Sequence, residues 1–209
     1  MGVASYKTVV RKGGTVTVMT SEAMTTNSTV ANTFRITDGT KRVWARTVAL
    51  TFRTAGTTVS STAVTSTDKL FGTVVFNSSA VAAPITVAGS YIPLAIVAGG
   101  NSYSINQSAE MLDDTDFSST NYRTRAVGLK DVSVAIGKFD SLESDFFPLI
   151  NSGNSVVIDI QPGGVGSIGR GWFLVESQGR AGDVGGLEAA DLSFQLDEDP
   201  NAAFKWGSS

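Results

Sequence analysis

Gly128-Leu129-Lys130-Asp131-Val132-Ser133-Val134-Ala135-Ile136-Gly137 opens the stretch whose reading decides the fold, and that stretch runs on to Leu196. Val132, Val134 and Ile136 alternate along it, which predicts a strand with those three side chains inward. Then comes Phe139-Asp140-Ser141-Leu142-Glu143-Ser144-Asp145-Phe146-Phe147-Pro148-Leu149-Ile150, the one place where apolar residues recur at helical spacing. Asp140 and Glu143 stand at capping-box spacing, and Asp145 adds negative charge where the helix dipole favours it. Leu142, Phe146, Leu149 and Ile150 share one face, so a short α-helix is expected over about 140–151, closed by Ser152-Gly153. Pro148 conflicts with it, because an interior proline costs about 3 kcal/mol; a kink or two short turns follow as the expectation.

Downstream, Ser155–Ile160 is nearly all apolar, as in a strand covered on both faces. A glycine-rich loop over 162–171 follows, then a strand over 171–178. No Gly-Lys-Ser/Thr accompanies the glycines and the next element is a strand, which argues against a phosphate cradle. Ala189–Leu196 alternates Leu192, Phe194 and Leu196 inward with Asp191, Ser193 and Gln195 outward, and an acidic tail begins at Asp197.

The 209 residues suffice for a sizeable core, and 42% hydrophobic against 17% charged residues is the balance of a folded chain. No cysteine and no histidine are present, which removes thiol nucleophiles, disulfides, Cys/His zinc sites and imidazole bases. Met1–Lys7 lacks the apolar run of a signal peptide and no segment has the roughly 18 apolar residues needed to span a bilayer, so synthesis in the cytoplasm is expected. Charge is polarised: residues 1–53 carry eight Lys/Arg against two acids, a net +6, whereas 139–209 carry three against eleven, a net −8. In a protein that packs against its own copies, such halves would guide head-to-tail contact.

Before the deciding stretch the chain reads as extended structure and turns. Residues 1–13, with Arg11 and Lys12, are expected as an N-terminal arm. Thr15–Thr20 alternates as a strand with Val16 and Val18 on one face, while Ser21–Asn32 has no period and reads as a loop. Thr33–Thr37 is a strand ending at a turn, and Lys41–Thr54 a half-buried strand with Val48, Leu50 and Phe52 on one face. Residues 55–69 read as a hairpin arm or loose loop; 70–76, 83–87 and 90–94 read as strands, the last broken by Pro93.

From Ser102 to Glu110 the alternation is clean: Ser102, Ser104, Asn106, Ser108 and Glu110 form a small polar face whose only charge is acidic. Asp113, Asp114 and Asp116 follow, readable as a solvated acidic turn or as oxygen ligands for a hard cation, without the glycine and distal glutamate of a known calcium loop.

The ordered set Gly128–Val134, the short helix, Ser152-Gly153, Ser155–Ile160, Gly171-Trp172-Phe173-Leu174-Val175-Glu176-Ser177, Gly182-Asp183-Val184-Gly185-Gly186-Leu187 and Asp191-Leu192-Ser193-Phe194-Gln195 resembles the tail tube proteins of long-tailed bacteriophages. The resemblance covers about the last 80 residues and lies in the order of its parts rather than in any one motif. It implies an all-β fold, a β-sandwich or barrel with one flanking helix, in a single domain over 14–196 with 41–94 as an enlarged or inserted β layer and 197–209 as a tail. It further implies a structural virion protein whose hexameric rings stack into a hollow tube, with itself, the tape measure and other tail proteins as partners, DNA as transiting cargo, and no enzymatic activity or cofactor.

A wall that DNA slides past should carry short polar and acidic side chains, because a basic wall would hold phosphate. Ser102, Ser104, Asn106, Ser108, Glu110, Asp191, Ser193 and Gln195 are therefore the candidate lumen residues. Arg11, Lys12, Arg42, Arg46, Asp140, Glu143, Asp145 and Phe146 are the candidate inter-subunit residues. The alternatives are another tail component, such as a terminator or decoration protein, and a non-enzymatic β-sandwich binding module. A carboxylate-based enzyme would have to use Asp113, Asp114 and Asp116 or Asp197, Glu198 and Asp199, which sit in turns and tails with no sequence logic that makes them converge.

Overall fold

A computed structural model describes residues 8–26, 30–77, 83–97, 100–114, 123, 125–139, 146–164, 166–182, 188–197 and 204–208. The strands in chain order are β1 (Val9–Gly13), β2 (Thr17–Thr26), β3 (Thr33–Ile36), β4 (Thr51–Thr54), β5 (Thr57–Thr58), β6 (Val64–Asp68), β7 (Thr73–Phe76), β8 (Ile85–Tyr91), β9 (Leu94–Ile96), β10 (Gly100–Asp113) and β11 (Arg125–Phe139). The helix α1 (Phe147–Ser152) follows, then β12 (Val156–Gln161), β13 (Ser167–Ala181), β14 (Ala189–Leu196) and β15 (Lys205–Ser208). Among the described residues the fold is all-β with one short α-helix. The chain groups into two compact units: residues 1–97, 156–172 and 198–209, and residues 98–155 and 173–197.

The first unit contains a seven-stranded sheet in the order β5-β4-β8-β2-β3-β7-β6. Met19, Met24, Phe34, Ile36, Trp44, Phe52, Phe76 and Ile85 are among the side chains packed in one core against it, with Phe52 edge-on to Phe76 at 5.7 Å. Val16 and Val18, which share one face, are exposed, and Met19 and Met24 are buried. The two methionines are an odd number of positions apart, so plain alternation cannot turn both inward. A β-bulge between Met19 and Glu22, against β8, inserts the extra residue that does. The same bulge hides the strand period of 21–26, which belongs to β2 and not to a loop.

Only Thr51–Thr54 of the strand expected over 41–54 is a strand. Its first part crosses the unit irregularly, and its backbone groups are satisfied one at a time: Trp44 N–H donates to Lys69 O, Ala45 N–H to Ser90 O, and Val43 O accepts from Ile92 N–H. That lets Val43, Trp44 and Ala45, three consecutive residues, all be buried. Within 55–69, residues 57–58 and 64–68 form paired strands and not a loose loop. Ile85–Tyr91 is one strand where two shorter ones are expected, with Pro93 just beyond its end.

The unit's other strands are β9, β1 and β12, side by side, with β12 beside β13 and β15 paired to Ser167–Arg170. Val9–Gly13, expected in the arm, thus lies between two strands, and Lys205–Ser208, expected in the tail, is a strand as well. All six residues of β12 are buried, as its apolar run predicts. The glycine loop ends early, since β13 begins at Ser167 and Ile168–Phe173 are buried.

The second unit is a four-stranded antiparallel sheet in the order β10-β11-β14-β13, using Phe173–Ala181 of β13. Val132, Val134, Ile136, Leu192 and Phe194 point to one side and are buried, as their alternation predicts. Phe146, fully buried, meets Phe194 edge-on at 5.3 Å and closes this core. Pro148 costs nothing here, because the helix begins at Phe147 and places the proline in the first turn, where a backbone N–H has no intrahelical partner. No kink forms. Gly153 closes the helix in the left-handed region at φ 64°, its N–H donating to Leu149 O at 3.0 Å. The capping box at Asp140 and Glu143, and Asp145 with them, lies outside the described residues.

Candidate functional site

The register of the second unit assembles the polar residues of separate strands into rows across one face. Ser102, Gly137, Asp191 and Gly179 make one row, and Ser104, Ala135, Ser193 and Ser177 the next. Asn106, Ser133 and Gln195 form a third, and Ser108 faces Asp131 beyond it. A bulge between Val175 and Ser177 on β13 sets Glu176 beside the face, where its Oε2 accepts from Ser193 Oγ at 3.1 Å and Gln195 Nε2 at 3.2 Å. Ser177 and Ser193 hydroxyls share a hydrogen bond of 2.7 Å.

Seven of the eight lumen candidates, Ser102, Ser104, Asn106, Ser108, Asp191, Ser193 and Gln195, therefore fall in these rows. Glu110 lies farther along β10, opposite Gly128, at a bulge between Ala109 and Met111. What the candidates omit are the β11 and β13 members of the face: Asp131, Ser133, Ala135 and Gly137 on β11, and Ser177 and Gly179 on β13. The signal for the β11 residues is the outward half of the Val132-Val134-Ile136 alternation. The face stays shallow because Gly137 has no side chain; a Cβ there would collide with Ser102 Oγ. Its charged members are carboxylates, and no Lys or Arg stands in the rows among the described residues.

Beyond Asn106 the β10–β11 ribbon is exposed on both sides up to Val132, and Met111, Leu112, Val127 and Leu129 are exposed at 60%, 47%, 56% and 81%. β10 ends the sheet order, so its outer edge of 14 residues has no neighbouring strand among the described residues.

No protein-family model matches the chain, and no curated protein does. The structure is similar to a chain from the tail of an empty gene transfer agent particle with C6 symmetry, with a TM-score of 0.48 and 18% identity, over 56% of this chain and 87% of that one. It is also similar to a chain from the virion of a native gene transfer agent particle, with a TM-score of 0.46 and 19% identity, over 54% of this chain and 88% of that one.

The inter-subunit candidates are distributed differently from the lumen candidates. Phe146 is a core residue of the second unit, and Asp140, Glu143 and Asp145 lie outside the described residues. In the first unit Arg11 Nη1 donates to Asp159 Oδ1 at 2.9 Å, so its charge is engaged within the fold. Arg46 stacks over the Trp172 ring at 5.2 Å, Lys12 stands on β1, and Arg42 lines a pocket with Arg35 and Arg170. Of the acids considered for a cation, Asp116 is outside the described residues and Asp113 faces Arg123 at 3.9 Å. No helix among the described residues is long and apolar enough to cross a membrane.

Proposed function

We propose that this protein is the tube subunit of a phage-type tail, forming rings that stack into a channel for DNA. The face built by β10, β11, β14 and β13 carries the proposal. Short hydroxyl, amide and carboxylate side chains without a cation are what a wall needs if polyanionic DNA is to pass without binding. Two further features support assembly from copies of the chain. The β10 edge contains neither Pro nor Lys, the usual guards of a free edge, so it suits addition of a strand from a neighbour. The ribbon beyond it exposes apolar side chains on both sides, and a two-stranded ribbon alone is marginally stable in water. A ring closed through β10 would place the polar rows of successive subunits around one axis and bury the ribbon.

In this reading the ring is hexameric, the tape measure and other tail proteins are its further partners, DNA is cargo, the protein resides in the virion, and it is not an enzyme. The basic first quarter meets the acidic last third of a neighbour through side chains other than Arg11. Electron microscopy and light scattering of the purified chain test this. Rings or tubes whose formation depends on ionic strength are expected, and a strict monomer at high concentration in every salt condition overturns the reading.

A further inference from the structure

We propose that the first unit contains an oxyanion site, a pocket of about 400 Å³ walled by Arg11, Arg35, Arg42 and Arg170, that takes a small phosphate-class anion such as inorganic phosphate or pyrophosphate. This does not rest on the tail-tube reading.

The chain brings four guanidinium groups to one cavity from β1, β3, the irregular segment after Gly39–Lys41, and β13. No carboxylate lines it among the described residues. The carboxylate next to the pocket, Asp159, is fully buried and already divided: Oδ1 accepts from Arg11, and Oδ2 accepts from Arg170 Nε and Nη2 at 2.8 and 2.6 Å. Other nearby acids have cations of their own. Asp38 and Glu22 face Lys41 at 3.7 and 2.5 Å, and Asp68 faces Lys205 at 3.1 Å. Asp38 and Asp68 also bear on Arg42 and Arg35, but less than burial and the neighbouring guanidinium groups do, so the wall keeps excess positive charge.

Arg42 shows the imbalance most directly, because its Nε is buried without a hydrogen-bond partner. Burial, and after it the adjacent Arg170 charge, holds the Arg42 pKa below the ordinary arginine value. Burial and then the charges of Arg42 and Arg170 do the same to Arg35. Like charges gathered on a partly buried wall are a cost that an anion removes. Phosphate fits better than a single carboxylate for two reasons. Its several oxygens can meet more than one planar guanidinium fork, and the volume lies within the range of small-molecule pockets. Thr40, Tyr91 and Gln161 add neutral hydrogen-bonding groups to the wall.

The experiment uses the full chain and inorganic pyrophosphate, with ionic strength held constant by sodium chloride. Calorimetry should show saturable binding of one anion per chain, and the thermal midpoint should rise with pyrophosphate and not with the matched chloride. Arg42→Gln should weaken binding roughly tenfold or more, since it removes charge-assisted hydrogen bonds. Without pyrophosphate the same variant should melt no lower than the wild type, because it relieves repulsion. Arg42→Lys, which keeps the charge and loses the fork, should also bind more weakly, so a failure of Arg42→Gln to fold leaves the test intact. Binding no stronger than the chloride control, or equal binding by both Arg42 variants and wild type, overturns the proposal. So does a result in which pyrophosphate acts only by separating associated copies, for the pocket would then be the seat of a neighbour's carboxylate.

Discussion

Asp159 and Arg170 form a buried pair in which one carboxylate oxygen accepts from both Nε and Nη2 of the guanidinium, at 2.8 and 2.6 Å, with the carboxylate fully buried and the arginine 5% exposed. Arg170 Nη1 donates to Leu70 O at 2.5 Å, and its guanidinium lies 4.9 Å from the centre of the Phe71 ring, so the pair ties β12 and β13 to the turn before β7.

Removing Asp159 leaves Arg170 buried among other arginines with nothing to neutralise it. Asp159→Ala is expected to cost about 3–5 kcal/mol in chemical denaturation. Arg11→Gln is expected to cost only about 1 kcal/mol, since Arg11 is partly exposed and Asp159 keeps its two bonds from Arg170. Equal losses for the two variants would contradict the division of labour seen at Asp159.

Phe146 fills the second unit's core against Phe194. Phe146→Ala should destabilise by about 3–5 kcal/mol, and Phe146→Leu by distinctly less. If Phe146→Ala unfolded at the wild-type denaturant concentration yet failed to assemble, the side chain would be an interface residue, as the sequence alone suggests, and not a core one.

Cations placed on the polar rows should turn a passive wall into a binding one. Ser104→Lys combined with Ser193→Lys puts two lysines in one row, on strands β10 and β14. The assembled variant is expected to retain duplex DNA in a filter or electrophoretic assay at low salt and release it steeply as salt rises, whereas wild type should retain none. Comparable retention by wild type would remove the reason for calling this face a channel wall.

Asp38 caps the turn Gly39–Lys41, accepting from Thr40 N–H at 2.9 Å and Thr40 O–H at 2.7 Å, and these bonds hold its pKa below the ordinary value of 3.8. Its folded pKa is depressed, so the contribution is fully present above pH 3.8 and fades as pH falls through the lower folded value. The stability difference between wild type and Asp38→Ala, measured from pH 6 downward, should hold steady and then shrink below about pH 4. A difference that grew on acidification would have the wrong sign.

Gly153 closes α1 at φ 64° with open space where a Cβ would sit. Gly153→Ala should therefore cost about 1 kcal/mol from backbone strain alone. A neutral effect would mean that the helix end relaxes freely.

Much of the second unit is legible in the amino-acid order. Alternation marks the inward sides of β11 and β14, and Ser152-Gly153 marks the helix end; in the first unit the apolar run marks β12 as covered on both faces. These features follow from the chain's own period and from the conformational freedom of glycine, both local properties. The polar residues of β10 and β14 are legible in the same way. That β11 lies between them, supplying Ser133, Ala135 and Gly137, is a matter of strand order, which residue type does not encode.

Residue content and order alone exclude thiol and imidazole chemistry, make the chain β-rich, and distribute its charge unevenly from one end to the other. Where that charge goes is a property of the folded chain. Bulges reset which residues face inward, as at Met19 and Met24, because one inserted residue shifts a period of two. Non-local pairing brings Arg11, Arg35, Arg42 and Arg170 to one pocket from across more than 150 residues. No local pattern announces a convergence of that kind; it depends on which strands lie side by side.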